Sequence, residues 1–425
     1  MIGKIERYLY SWSFTDRIRN NKLHKQLAVA SFTQVTARYK NIPDKDIVNF
    51  YEQSLEILFH HRIDPTVKTM IAYAIYQFYN HSAIDPNEWK TIRRYIKNIP
   101  AKECPLPNWK ALCTFFMCNG CFHLSFLARK KYKEKLLATK GRIYRWSRAQ
   151  AYLEESNIEL AQKEINKIEH SIGMRSAYNI GIPAAKRFID LISKQKKQIK
   201  SSRPLRKGDK HFYDYLSGKK IIIEGPAPEI QLPDISGNTC FVRSDYFLDW
   251  DNKITDITYL NYESFKLYSK HCEKYQNSWK YTCFKKVDDD FQLKPHTRMA
   301  WNPNGIFLIG NPNMLPLMLF DLAGEDIYVT GNNLYLSSVY YSKKNTKKTT
   351  KKIQEEESAY NSIELCGFMG DHDAITQHLF LQKLFKAGLF EADQQLTYVL
   401  NLSAEQYCIK MDRLHGIAHY VHPSP

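Results

Sequence analysis

A β-branched run, Lys219-Lys220-Ile221-Ile222-Ile223-Glu224, leads straight into Gly225-Pro226-Ala227-Pro228. A buried strand ending in a small-residue loop is how α/β sheets open a crevice for a nucleotide phosphate. Gly225 lets backbone approach a ligand closely, and the two prolines stiffen the loop. The N–H groups of Ala227 and Glu229 are then candidate donors to a phosphate, because Pro226 and Pro228 have none. An ordinary tight turn is the competing reading of the same residues. A second run, Cys240-Phe241-Val242-Arg243, reads as the next strand and delivers Ser244-Asp245-Tyr246.

Other residues of reactive type are weighed against plainer roles. His372, in Gly370-Asp371-His372-Asp373, lies just before a helix expected from about Ala374 to Ala387, capped by Asp371 or Asp373 and stopped at Gly388. The positive end of a helix dipole there would lower its pKa and keep it neutral. Position alone favours the reading as a surface histidine of the capping region. Cys113, Cys118 and Cys121 have the C-x4-C-x2-C spacing of plant-type ferredoxins, with Cys104 or His123 to complete a ligand set. Their segment is apolar and helix-like, where cysteines serve as small core residues. Asp288-Asp289-Asp290 reads as a solvated run at a strand end, and no Asp-x-Asp stands where a metal-dependent sugar-nucleotide enzyme carries it. His296 is a second base candidate, with a loop histidine as its plainer reading, and His422-Pro423 sits at the extreme C-terminus.

The elements that must position these groups fall into two kinds. Residues 1–205 read as a basic, all-α helical array with no convincing strand, and residues 211–425 as an α/β unit. The segment Arg148 to Ala161 resembles one tetratricopeptide-type helical hairpin, without a clean repeat period behind it. Lys194 to Lys210, rich in Lys, Ser and Arg, reads as the linker. Beyond it strands are expected at Lys219–Glu224, Thr239–Arg243, Ile254–Leu260, Tyr281–Lys286, Gly305–Gly310 and Asp326–Gly331, with a helix over Asn313–Leu322 that carries Pro316 in its first turn. Lys343 to Glu357 is too polar to bury a core and reads as a surface loop. Strand–helix–strand alternation implies a parallel sheet.

The formal net charge of +17 is unevenly placed. Residues 1–210 hold 39 Lys/Arg against 18 Asp/Glu, and residues 211–425 hold 22 against 26. Between Arg129 and Arg148 nine basic residues face only Glu134. Such a face suits an anionic membrane surface, a polyanionic glycan or nucleic acid, or is simply solvated. The N-terminus lacks the apolar core of a signal peptide, and nine scattered cysteines suit reduced thiols, so a cytoplasmic chain is expected.

In order and spacing these segments resemble the animal-type sialyltransferases and their bacterial relatives, over about residues 215–415. That family's long motif resembles Lys219 to Asp245, with Val242-Arg243-Ser244 at its end. Its short motif resembles Asn311 to Gly331: a loop, an apolar helix, an acidic residue and a strand closing at glycine. Its third motif, an aromatic pair, falls on Tyr340-Tyr341. Its very short motif, His-x4-Glu, falls on His372, with Gln377 in place of the glutamate. The chain departs from the family at Pro226, where an asparagine is expected, and at Asn311 and Asn313, where Ser/Thr and Gly are expected. It also lacks the third-motif histidine and the cysteine pair joining the long and short motifs.

The resemblance implies a Rossmann-like, GT-A-like sheet and metal-independent, inverting transfer of a sugar from a CMP-activated acidic donor to a hydroxyl of a surface-glycan or lipid-linked acceptor. No cofactor beyond the donor nucleotide sugar is implied. His372 carries over as the general base. Gly225, Ala227, Glu229, Arg243, Ser244, Asn311, Asn313, Gly331, Tyr340, Tyr341 and Gln377 carry over as nucleotide- or substrate-binding positions. Helix capping remains open for the two asparagines, core or lid packing for the two tyrosines, and loop bracing for Gln377. The basic half would hold the enzyme against the inner face of the membrane, with nucleic acid the less fitting partner. The rival from another class is a polyanion-binding helical adaptor carrying a catalytically degenerate glycosyltransferase fold.

Overall fold

The computed structural model describes residues 94, 96–98, 100–103, 106–118, 120–170, 181–193, 196–201, 205–206, 209–227, 230–234, 237–245, 254–275, 278–337 and 373–415. The described residues before the sheet are helical: α1 (Leu106–Cys118), α2 (Phe122–Ala138), α3 (Arg145–Glu154), α4 (Ile158–Glu169), α5 (Gly181–Ser193), α6 (Lys196–Ser201) and α7 (Asp209–Leu216). Helices α3 and α4 form the expected hairpin, with Ala149, Ala151 and Ala161 fully buried where they meet. Asn157 caps α4, its side chain accepting from the Leu160 N–H at 3.2 Å. Cys113 and Cys121 are buried, and the Cys113 thiol donates to Trp109 O at 3.1 Å while burial pushes its pKa up.

The sheet has seven parallel strands: β1 (Lys220–Glu224), β2 (Thr239–Ser244), β3 (Ile257–Leu260), β4 (Tyr281–Phe284), β5 (Thr297–Met299), β6 (Asp326–Thr330) and β7 (Glu391–Ala392). Their spatial order is β5-β4-β3-β2-β1-β6-β7. The chain thus steps outward from β1 through β5 and returns to the other side of β1 as β6. Helices α8 (Tyr262–Lys270) and α9 (Cys272–Tyr275) connect β3 to β4, and α10 (Met314–Leu322) leads into β6. After β6 come α11 (Ala374–Lys386), α12 (Gln394–Asn401) and α13 (Ala404–His415). The α/β, Rossmann-like expectation holds at this level.

Strands buried on both faces should read as continuous apolar runs, and β1 does. Ile221 and Ile223 share a face with Cys240, Val242, Ile257, Tyr259, Cys283, Ile327 and Val329. That face belongs to one core that includes Phe188 of α5, Phe212 of α7, Phe320 of α10 and Phe380 of α11. The Phe188 and Phe380 rings lie 4.9 Å apart, so a helix from before the sheet meets one that follows β6. Leu260 and Phe284 point the other way, into a smaller cluster with Phe265, Tyr268 and Trp279.

Gly305–Gly310 is a correction: it is a run of bends and not a strand. Ile306, Phe307, Leu308 and Ile309 are all buried, and their backbone is satisfied by side chains of neighbouring helices instead of a ladder. Gln150 of α3 donates to Gly305 O at 2.6 Å and Phe307 O at 3.0 Å. Leu308 N–H donates to the Glu154 carboxylate at 2.9 Å, and the Thr376 hydroxyl donates to Ile309 O at 2.5 Å. Glycines at both ends adopt positive φ, 78° at Gly305 and 69° at Gly310, which a regular strand excludes.

Candidate functional site

In a parallel sheet every strand ends on the same edge, and a ligand crevice forms where the strand order reverses. Here that point lies between β1 and β6. Gly225 follows β1, and Gly331 follows β6 with φ of 65°. The two turns are zipped together: Gly225 N–H donates to Thr330 O at 2.8 Å and Ala227 N–H donates to Gly331 O at 2.9 Å. A Cβ on Gly225 would lie 2.3 Å from Gly331 O, so the glycine is demanded by neighbouring backbone. The Ala227 amide, expected to face a phosphate, is spent on this seam. Asp393 extends it, accepting from Gly331 N–H at 2.9 Å and capping α12 through Leu396 N–H at 2.8 Å.

Along the same edge, Arg243 at the end of β2 is buried and ion-paired with Glu224 of β1, and it donates to Ile254 O at 2.5 Å. Ser244 is half-buried beside it. Asp245 takes a positive φ of 52°, and its carboxylate accepts from the Asn261 N–H and side-chain amide, each at 2.8 Å. Burial pushes this carboxyl up, against the opposing pull of the Asn261 amide. Lys285, just past β4, lies within electrostatic reach of Asp245 and donates to Pro312 O at 3.2 Å. It carries positive charge to the loop that precedes α10.

That loop joins three of the expected positions. Gln377, fully buried one turn into α11, donates to Asn311 O and accepts from Asn313 N–H, each at 2.9 Å. Of the two roles open for Gln377, bracing the loop is the one it fills. Asn313 occupies the N-cap position of α10 without capping it; its Nδ2 donates to the Tyr335 hydroxyl at 3.2 Å. Tyr335 and its neighbour Leu334 hold consecutive positive φ angles, 69° and 47°, in the turn after Gly331. Tyr407 donates to Leu334 O and His415 to Tyr335 O, both at 2.7 Å, and so hold this strained turn from α13. Two buried polar atoms here, Asn313 Oδ1 and Asn333 Nδ2, have no hydrogen-bond partner among the described residues. Both asparagines also contact Tyr335, Asn313 through its Nδ2 and Asn333 by accepting from the Tyr335 N–H at 3.0 Å, so an acceptor and a donor without partners are what a polar ligand would complete.

A buried ionic cluster holds the loop from below. Arg129 of α2 donates through Nε to Glu154 at 3.0 Å, through Nη1 to Asp373 at 2.7 Å and through Nη2 to Thr376 at 2.9 Å. Asp373 also caps α11, accepting from Thr376 N–H at 2.6 Å, and a Cβ on Gly310 would meet its Cβ at 2.4 Å. Burial alone would raise the Glu154 carboxyl, but the Arg129 guanidinium overrides it and holds it below the ordinary glutamate range.

The structure therefore brings Gly225 against Gly331 and Gln377 against Asn311 and Asn313, the turn from Gly331 to Tyr335 linking the two groups, with Arg243 and Ser244 on the adjoining strand. His372, Glu229, Tyr340, Tyr341 and His422 lie outside the described residues. His296 is exposed at the start of β5, on the edge opposite this site, and Asp288, Asp289 and Asp290 are exposed. Sequence reasoning missed Lys285, Asn333 and Tyr335 as site residues. Their signal was placement, since each lies within five residues after a strand that reads toward the same edge. Comparison with protein-family models, curated proteins and solved structures finds no match to this chain.

Proposed function

We propose that this protein is an inverting glycosyltransferase that takes a sugar from a nucleotide-linked donor at the carboxyl edge of its sheet. The observation that carries the reading is the pair of buried polar atoms without partners among the described residues, Asn313 Oδ1 and Asn333 Nδ2, on two asparagines that both contact Tyr335 in the turn after β6. CMP linked to an acidic sugar is the donor that the sialyltransferase resemblance favours, and a surface-glycan or lipid-linked hydroxyl is the acceptor. In this reaction the acceptor oxygen bonds to the anomeric carbon as the bond to the nucleotide phosphate breaks. The acceptor proton passes to His372, and the electron pair leaves with the phosphate. Lys285 and the Tyr335 hydroxyl supply positive charge and a donor where that phosphate charge develops.

Calorimetry on the full chain with CMP, UDP and GDP, in the presence of a chelator, tests the donor class. CMP binding alone supports the reading, while UDP or GDP binding without CMP overturns the donor assignment. His372→Ala should lower transfer by about 100-fold or more with nucleotide affinity nearly unchanged, because proton removal develops only toward the transition state.

The closed β1–β6 seam, with the Ala227 amide already spent, favours a second reading: a polyanion-binding helical adaptor on a sheet that no longer turns over substrate. Absence of binding to every nucleotide, with retained binding to an anionic polymer, would select it.

A further inference from the structure

The turn that joins α2 to α3 presents an exposed aliphatic residue in a segment rich in cations. Gly141, with φ of 134°, starts a tight 3-10 turn over Arg142–Tyr144, and Ile143 at its apex is 54% exposed. Tyr132 and Trp146 are buried in the core, whereas Ile143 leaves more than half of its side chain in water. Lys140 and Arg142, both exposed, precede it in the turn. Arg148 reaches back from α3 to Thr139 O at 2.9 Å and Gly141 O at 3.2 Å, and Arg145 donates to Lys167 O at 3.2 Å. These contacts fasten the turn to the end of α4, where Lys167 adds another cation. Glu164 is shared between Arg148 at 2.8 Å and Lys167 at 2.9 Å. The turn is therefore rigid, strongly positive and tipped by an exposed side chain that water does not favour.

We infer that the Lys140–Arg145 turn docks this protein onto an anionic lipid bilayer, with Ile143 entering the headgroup boundary and Lys140 and Arg142 lying among the lipid phosphates. Cations around one inserted apolar residue match the interface of a bilayer, where both kinds of contact are made at once. Single-stranded nucleic acid would instead be served by an exposed aromatic platform. The aromatic of this turn, Tyr144, is half-buried, and the apex is isoleucine. The inference stands apart from the sugar-transfer reading, since it uses none of the residues at the sheet edge.

Flotation of the full chain with phosphatidylcholine vesicles, with and without phosphatidylglycerol, provides the test. Binding should require the anionic lipid and fall steeply with salt. Lys140→Glu with Arg142→Glu should lower the vesicle-bound ratio by at least about tenfold, and Ile143→Ser by about threefold. Lys210→Glu with Lys294→Glu makes the same change of net charge on exposed residues elsewhere and should leave most binding intact. An equal loss in that control pair, equal binding to neutral vesicles, or displacement by RNA at matched phosphate would each overturn the proposal.

Discussion

The His378 imidazole is fully buried, stacked 4.5 Å from the Tyr407 ring, with Nε2 donating to Val399 O at 3.1 Å. Burial lowers its pKa from 6.5 to about 4. The unfolded chain therefore binds this proton across a window where the folded chain refuses it, so stability falls as pH drops from about 6.5 to about 4, by up to about 3 kcal/mol. His378→Phe keeps the stack and should flatten that slope; urea melts at several pH values check it, and an unchanged slope counts against the assignment. Arg129 poses a different problem, since its removal strands both Glu154 and Asp373 in the interior. Arg129→Met should cost about 3–5 kcal/mol, read by chemical denaturation. Of this cluster only the capping role of Asp373 was legible beforehand. Arg129 and Glu154 are 25 residues apart and Arg129 and Asp373 are 244 apart, and nothing local marks such partners. Gln377 was legible as either a substrate-binding residue or a loop brace, and its bonds to Asn311 and Asn313 give the brace its partners.

Among elements, the run from Gly305 to Gly310, with four buried apolar residues between two glycines, tests how well apolar runs report strands. The run looks like a strand because strand and buried linker share one composition; only a partner strand distinguishes them, and α3 and α11 take its place here. β1, β2 and β6 were legible because β-branched runs ended at glycine or a polar turn. β5 and β7, three and two residues long, carry too few side chains to show a period. Two glycines of the false strand should respond differently. Gly310→Ala adds a contact at 2.4 Å from the Asp373 Cβ to the cost of a positive φ, whereas at Gly305 the space is open. Gly305→Ala should cost about 1–2 kcal/mol from conformation alone, and Gly310→Ala about 1–3 kcal/mol more from overpacking. Thermal melts of both variants compare them, and equal losses would mean that Asp373 yields freely.

At the scale of the molecule, the boundary near residues 205–211 is visible in composition but does not divide the core. Phe188 lies within 5.4 Å of the Phe307 ring and 4.9 Å of Phe380, so helices on both sides of the boundary bury one another. Phe188→Ala should cost about 3–5 kcal/mol and lower the stability of the sheet with that of the helices. Tryptophan fluorescence and far-UV dichroism should report one shared transition; separate midpoints would restore two independent units. Among the described residues no helix is long and apolar enough to cross a membrane. The strand order has one more consequence, and it concerns synthesis. β1 can pair with β2 as soon as both emerge, but its other edge waits for β6, about a hundred residues later. At ribosomal speeds of about 5–20 residues per second, the edge formed by Ile221, Ile222 and Ile223 stays open for about 5–20 s. During those seconds the centre of the finished sheet is the exposed border of an unfinished one, and a chaperone, or another nascent copy, can reach it before β6 does.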